Sequence, residues 1–312
     1  MSDASASSPY HQPVLLREAV DALAVREDGV YVDATMGGGG HSREILSRLG
    51  PRGRLICFDQ DAAAWGNAPA DPRVTLVGEN FRHLKRFLRL HRGIPCQGIL
   101  ADLGVSSHHL DTAGRGFSIS GDAPLDMRMD RRRELTAADI LRGYDQGRLQ
   151  RVFESYGEIT NARTLAERIS QARQSFPLTT VRELTTVAGG VSKGNPRRYL
   201  AQVFQALRIE VNDEFGALGE LLTQGAEVLA PGGRMAVITF HSLEDRIVKE
   251  FFRSGKTPPG EPAGAAEAEA AEAEAGSAPM RPVNKKPVLP AGEEIRRNTR
   301  SRSAKLRVAE KI

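Results

Sequence analysis

Residues 30–42 read VYVDATMGGGGHS, and this stretch decides the fold. Val30 to Asp33 is short and rich in β-branched and aromatic residues, the pattern of a strand. Four glycines follow, Gly37 to Gly40. Ser42 then opens a helical pattern, with Ile45, Leu46 and Leu49 on one side and Gly50-Pro51 as its stop. Strand, glycine turn and helix form a nucleotide-cradling arrangement. Glycines let a ligand approach the backbone, and the helix N-terminus offers free N–H groups. A second strand, Arg54 to Phe58, runs into Asp59. That acid lies about 20 residues past the glycines, where a carboxylate accepts both hydroxyls of an adenosine ribose.

The chain has no G-x-x-x-x-G-K-[ST], which disfavours a P-loop phosphate site. Two ligands remain, a dinucleotide and S-adenosylmethionine. Read as G-x-G-x-x-G, residues 37–42 fail at the final glycine, which permits close helix–strand packing in dinucleotide folds. The run Asp33 to Gly39 suits a methyl-donor loop better, since no pyrophosphate has to be bound.

From this unit the strand–helix alternation extends outward. Residues 11–25 have the apolar spacing of an amphipathic helix. Asp61 to Trp65 starts a short helix, Arg73 to Val77 is a third strand, and Phe81 to Leu90 is a helix. Gly98 to Ala101 is a fourth strand ending at Asp102. This rhythm indicates an α/β fold with a parallel, doubly wound sheet. It stops after Gly104. Helical candidates then follow at Glu134–Gly143, Gly147–Tyr156, Ala162–Gln174 and Thr180–Ala188. The pattern resumes with a helix over Asn212–Leu229, a fifth strand at Arg234–Phe240, and a helix capped by Ser242 with Asp245 in the capping-box position. The domains expected are therefore a disordered tail at 1–10, a discontinuous α/β domain at 11–110 and 212–312, and an inserted all-helical domain at 111–211. A low-complexity Ala/Glu-rich loop spans 258–281. The C-terminal AKLRVAE is a candidate strand to close the sheet edge.

Composition fits a soluble protein, at 40% hydrophobic and 26% charged. No apolar run reaches membrane-spanning length and no secretory leader is visible, so a cytoplasmic protein is expected. Cys57 and Cys96 suit neither a metal site nor a disulfide framework, and both read as core thiols. Net charge is only +4, but residues 280–312 hold ten Lys/Arg against three Asp/Glu. Basic segments on an otherwise acidic body favour a polyanionic partner.

Three strands finishing in Asp33, Asp59 and Asp102 point to one shared ligand site at their tips. Asp102 is the strongest candidate for chemistry. Phe81 is a candidate for the adenine face. His108 and His109 are candidate polar contacts, without metal-ligand spacing. The irregular, Asp- and Arg-rich stretch 115–133 reads as a substrate loop, and Phe240 and His241 as substrate-pocket residues.

DATMGGGGHS, DLGVSS, LDTAGRGFSISGDAPLDMRMD, FQALRIEVNDE, PGGRMAVITFHSLEDRIVK and NTRSRSAKLR together resemble the bacterial ribosomal RNA small-subunit methyltransferase H family, also called MraW. The likeness runs from His11 to Lys311. It implies a class I, Rossmann-like S-adenosylmethionine-dependent methyltransferase with an inserted helical domain. The implied reaction is N4-methylation of cytidine 1402 of 16S rRNA in the decoding centre. Carried over by motif, the cofactor contacts are Gly39, Gly40, His41, Asp59, Phe81, Asp102 and His109; His109 stands in a His-His pair where the family usually has Pro-Gln. Asp102 is also the candidate acceptor for the reacting amine, and no metal is expected. The partners implied are 16S rRNA and the small ribosomal subunit, with a homodimer as one option and no membrane. Three rivals stay open: a non-catalytic RNA-binding or assembly factor on the same scaffold, a nicotinamide oxidoreductase, and a methyltransferase acting on DNA or protein.

Overall fold

A computed structural model describes residues 13–112, 114–257 and 279–312. The tail at 1–10, the first two residues of the predicted 11–25 helix and nearly all of the Ala/Glu-rich loop lie outside them. In chain order the elements are α1 (Leu16–Ala22), β1 (Val30–Asp33), α2 (Gly40–Arg48), β2 (Arg54–Phe58), β3 (Val74–Val77), α3 (Leu84–Leu90) and β4 (Cys96–Asp102). Next come α4 (Ser107–Asp111), α5 (Ala137–Gly143), α6 (Gln146–Gly157), α7 (Ala162–Ala172), α8 (Val181–Gly189) and α9 (Pro196–Asn212). The chain closes with α10 (Glu214–Val228), β5 (Leu229–Thr239), α11 (Ser242–Ser254), β6 (Met280–Pro282), α12 (Gly292–Arg297) and β7 (Lys305–Lys311). Two compact units result. Among the described residues, one holds 13–106, 216–257 and 279–312, and the other holds 107–112 and 114–215.

The first unit is a seven-stranded sheet in the order β3-β2-β1-β4-β5-β7-β6. β1 to β5 run parallel, whereas β7 is antiparallel to both β5 and β6. This order, with one reversed strand near the edge, is that of class I methyltransferases. β7 does not itself close the sheet as expected from sequence. The three-residue β6 lies outside it, too short to be recognised from a period-two pattern.

One face of the sheet buries Val32, Ile56, Phe58, Ile99, Ala101 and Val237 against Leu218, Leu221, Leu222 of α10 and Val248, Phe251, Phe252 of α11. The other buries Tyr31, Leu55, Cys57, Leu100, Ala236 and Ile238 against Ala19, Val20, Leu23, Ile45 and Leu46. Alternate residues of each strand thus serve opposite helical layers, as a sheet covered on both faces requires. Both thiols are free and buried, Cys57 within this second layer and Cys96 within the first.

The second unit is helical. Thr136 with Asp139, and Thr180 with Glu183, form full capping boxes on α5 and α8. α9 is a seventeen-residue helix absent from the four expected ones. Asn195 caps it and Pro196 occupies its first turn. It continues to Asn212, so the single helix expected from Asn212 begins two residues later, after Asp213 turns the chain with φ 50°. The buried Asn212 amide accepts from Met129 N (2.8 Å) and donates to Met127 O (2.8 Å). The irregular 115–133 stretch is thereby pinned from within its own unit.

Candidate active site

Strand order reverses between β1 and β4, where open α/β sheets form a ligand crevice beyond the carboxyl ends of the strands. Asp33 ends β1 and Asp102 ends β4, while Asp59 directly follows β2. All three expected acids therefore sit at the same edge of three adjacent strands.

Each acid is held differently. Asp33 is fully buried; its Oδ2 accepts Ser42 Oγ at 2.6 Å and its Oδ1 accepts Thr35 N at 3.1 Å. Burial raises its pKa to about 6, partly offset by the Ser42 and Thr35 hydrogen bonds. Asp59 accepts Gly37 N at 2.8 Å and Asp61 N at 2.9 Å, so it fastens the glycine turn to β2. Burial also raises Asp59 to about 6, against those two hydrogen bonds. The Asp102 backbone N–H donates to Thr35 Oγ1 at 2.7 Å, whereas its side-chain Oδ1 is buried with no hydrogen-bond partner among the described residues. Burial pushes the Asp102 carboxyl well above the usual range, and the charges of Asp33, Glu244 and Glu294 push it further.

The glycine turn supplies the cradle. Gly39 is the N-cap of α2 with φ 71°, and a Cβ there would lie 2.7 Å from Asn67 O. A Cβ on Gly40 would lie 2.7 Å from Pro13 Cγ. Neither position accommodates a side chain, and the Gly39 N–H donates to Met36 O at 2.7 Å, which closes the turn on itself before α2 begins. α2 begins at Gly40, two residues before the start read from sequence. Ser42 is consequently buried inside the helix as the donor to Asp33, a role that its place in the helical pattern concealed.

His41 is also buried. Its Nε2 lies 3.1 Å from Val14 O, and its Nδ1 lies 3.8 Å from Asp102 Oδ2. Phe81 opens a short 3₁₀ turn capped by Asn80 and packs, partly buried, on the first core layer. Asn80 Nδ2 donates to Gln60 Oε1 at 2.7 Å, which ties the Phe81 turn to the residue after Asp59. Trp65 Nε1 donates to Asp59 O at 2.9 Å. Asn80 and Gln60 went unrecognised because each is a single polar residue between elements, and Trp65 because it lies in the short helical turn Ala62–Asn67, where nothing local marks its indole as a donor to Asp59. The structure thus brings Gly39, Gly40, His41, Asp59 and Asp102 to one edge, with Phe81 at the tip of the next strand. His109 belongs to the helical unit, where it is buried and stacks on Phe117 with ring centroids 5.0 Å apart. The side chain of His108 lies outside the described residues.

Beyond β5, the capping differs from the expectation. His241, not Ser242, is the N-cap of α11, and Glu244, not Asp245, completes the box by accepting from His241 N at 3.4 Å; it also accepts Phe240 N at 2.9 Å. Asp245 instead holds Arg307 at 2.6 Å and Lys305 at 3.3 Å on β7. An imidazole nitrogen substituting for the usual hydroxyl acceptor hid this cap. The Phe240 ring lies 3.5 Å from where a Gly104 Cβ would be, next to the loop that follows Asp102.

The fold and this crevice define a class I methyltransferase whose cofactor is S-adenosylmethionine. The residues fit that group: a glycine turn at which no side chain fits, three acids at one edge of the sheet, and a buried carboxylate oxygen with no partner among the described residues. Comparisons with known proteins carry the classification further. The model of the MraW methylase family matches residues 8–312. A protein named ribosomal RNA small subunit methyltransferase H from Parabacteroides distasonis is 50% identical over 307 residues, covering 98% of each chain. Its namesake from Flavobacterium johnsoniae is 50% identical over 304 residues, covering 97% of this chain and 98% of its own. A crystal structure described as a putative rRNA-methylase from Clostridium thermocellum overlays 97% of this chain and 100% of its own at 14% identity, with a TM-score of 0.43. The chain belongs to the MraW methylase family.

Proposed function

We propose that this protein methylates the exocyclic N4 amine of a cytidine in 16S rRNA, cytidine 1402 of the decoding centre. The observation that carries the reading is Asp102: a carboxylate at the switch point of the sheet, with one buried oxygen unpaired and its acidity weakened by burial. Bound S-adenosylmethionine supplies a methyl group already activated by its sulfonium. What remains for the chain is positioning, which supplies on the order of 7 kcal/mol in favourable cases.

A cytosine amine is a poor nucleophile because its lone pair is delocalised into the ring. Asp102 accepts an N–H of that amine, favours its pyramidal form, and takes the proton lost as the N–C bond forms. A carboxylate with a raised pKa is the better base near neutrality. The loop after Asp102 is fixed by Leu103 N donating to Ile238 O at 2.9 Å, so carbonyls of this turn serve as a second acceptor. Phe240, beside Gly104, offers a face on which an unstacked base rests. Asp59 holds the ribose hydroxyls, the Gly39-Gly40 backbone receives the amino-acid end, and Phe81 covers the adenine. Neither cysteine serves as the nucleophile that C5-methylation uses: both are buried, with thiols pushed up to about 12 by burial. Amine attack is therefore favoured independently of family likeness.

The test is to incubate the protein with labelled S-adenosylmethionine and small subunits from a strain lacking this activity, then map the modified nucleotide. Label on N4 of cytidine 1402 is the expected result. Label on another nucleotide, on DNA or on a ribosomal protein would overturn the assignment. Tight cofactor binding with no transfer to any acceptor would favour the assembly-factor reading.

A further inference from the structure

We propose that Arg296, Arg300 and Arg302 form a phosphate-binding rim that seats single-stranded RNA beside the methyl-transfer crevice. This deepens the function proposed above and rests on its RNA substrate. Residues 295–303, IRRNTRSRS, carry four arginines and no acid.

Three observations place them. First, Thr239 at the end of β5 is in register with Lys305 at the start of β7. The 3₁₀ turn Thr299–Ser303, which runs into β7, therefore sits at the carboxyl edge of the sheet, the edge that Asp33, Asp59 and Asp102 occupy. Second, Glu294 on α12 accepts Leu15 N at 2.9 Å, and the neighbouring Val14 carbonyl meets His41. The arginine-bearing segment is thus fastened to the wall of the cradle. Third, the basic groups of this region differ in exposure and in pairing. Lys305 and the buried Arg307 pair with Asp245, and Arg297 pairs with Glu293. Arg296, Arg300 and Arg302 are exposed, and Arg296 and Arg302 make no ion pair among the described residues.

Arg296 lies on α12, and the turn that displays Arg300 and Arg302 is tied by its own hydrogen bonds. Asn298 Oδ1 accepts from Arg300 N at 3.2 Å, Ser301 is fully buried with its Oγ donating to Asn298 O at 2.7 Å, and Ala304 is buried. Anchored residues alternate with outward guanidinium groups. Guanidinium is the side chain best matched to phosphate oxygens.

The test compares a rim variant, R296Q/R300Q/R302Q, with an equally charged control, R52Q/R89Q/R92Q. The control arginines are exposed and lie at the amino ends of β2 and β4, the opposite edge of the sheet. Binding of an RNA oligonucleotide spanning cytidine 1402 is followed by fluorescence anisotropy over a range of salt. Every phosphate of a single strand that a cation no longer neutralises lowers the slope of log K against log salt by about 0.7, so the rim variant should show a slope shallower by about 2. The control should keep the wild-type slope, and both should bind S-adenosylmethionine as the wild type does, which shows that they are folded. A rim variant with the wild-type slope, or a control whose slope falls as much, overturns the rim while leaving methylation by the wild type intact. A wild type that neither binds nor methylates the RNA overturns the function itself.

Discussion

Asp59→Asn separates the fastening of the glycine turn, which the structure shows, from the ribose binding proposed for this carboxylate. In the folded protein its pKa rises from 3.8 to about 6, chiefly through burial. At about 1.4 kcal/mol per pH unit, the ionised group costs the unliganded fold about 3 kcal/mol at pH 7.5. The sign follows from the direction of the shift. The protonated form is favoured in the folded state, so this group's stabilising contribution is complete below about pH 4 and is lost as pH rises through about 6. An amide carries no charge and escapes that cost. It also turns an NH2 toward Gly37 N or Asp61 N, leaving one buried donor unsatisfied at about 1–3 kcal/mol. The two changes nearly cancel, so the unliganded variant should unfold within about 2 kcal/mol of the wild type. Cofactor binding has no such compensation. Two hydroxyl-to-carboxylate bonds, each worth about 1.5–3 kcal/mol, become at best one bond to a neutral acceptor. A loss of about 2–4 kcal/mol weakens binding by about 30-fold to 1,000-fold. Titration calorimetry with S-adenosylmethionine at pH 7.5, paired with denaturant unfolding, reads both quantities. A folded variant whose affinity stays within about threefold of the wild type would refute the ribose role of Asp59.

Ser42→Ala removes the 2.6 Å donor to Asp33 Oδ2 and should cost about 1–3 kcal/mol at pH 7.5, less at pH 5 where Asp33 is largely protonated; unfolding at the two pH values checks this. Gly40→Ala places a methyl 2.7 Å from Pro13 Cγ, displacing the segment that carries Val14 O away from His41. Cofactor affinity should fall by about tenfold or more, with a smaller effect on unfolding, and an unchanged affinity would show that this wall is not part of the cradle. Because Asp33 and Asp59 ionise near 6, the rise in unfolding temperature produced by S-adenosylmethionine should grow from pH 5 to pH 7. A rise that is flat or falling over this window would contradict an acid-lined seat for a cation.

Much of the sheet was legible because its signals are local. The bounds of β1 and β2 follow from their β-branched runs, and the acids at their ends from the turn that each begins. The same logic placed Gly39, Gly40, Asp59 and Asp102 at one edge, since neighbouring parallel strands end together. What was missed depends on contacts between distant residues. Ser42 reads in the sequence only as the opening of a helical pattern, and the approach of β1 makes it the partner of Asp33. The His241–Glu244 cap uses an imidazole acceptor, which no serine-based pattern detects. β6 is three residues long and is defined by its pairing with β7 rather than by composition. Asn212 looked like the start of a helix, but the loop it holds lies more than eighty positions earlier in the chain.

The most direct measurement is single-turnover methyl transfer from labelled S-adenosylmethionine to small subunits by Asp102→Ala, alongside cofactor binding by the same variant. Asp102 as amine acceptor and proton base requires binding within about tenfold of the wild type and a transfer rate lower by about 100-fold or more. A variant that binds the cofactor and transfers the methyl group at the wild-type rate would contradict the role given to the buried carboxylate at the end of β4.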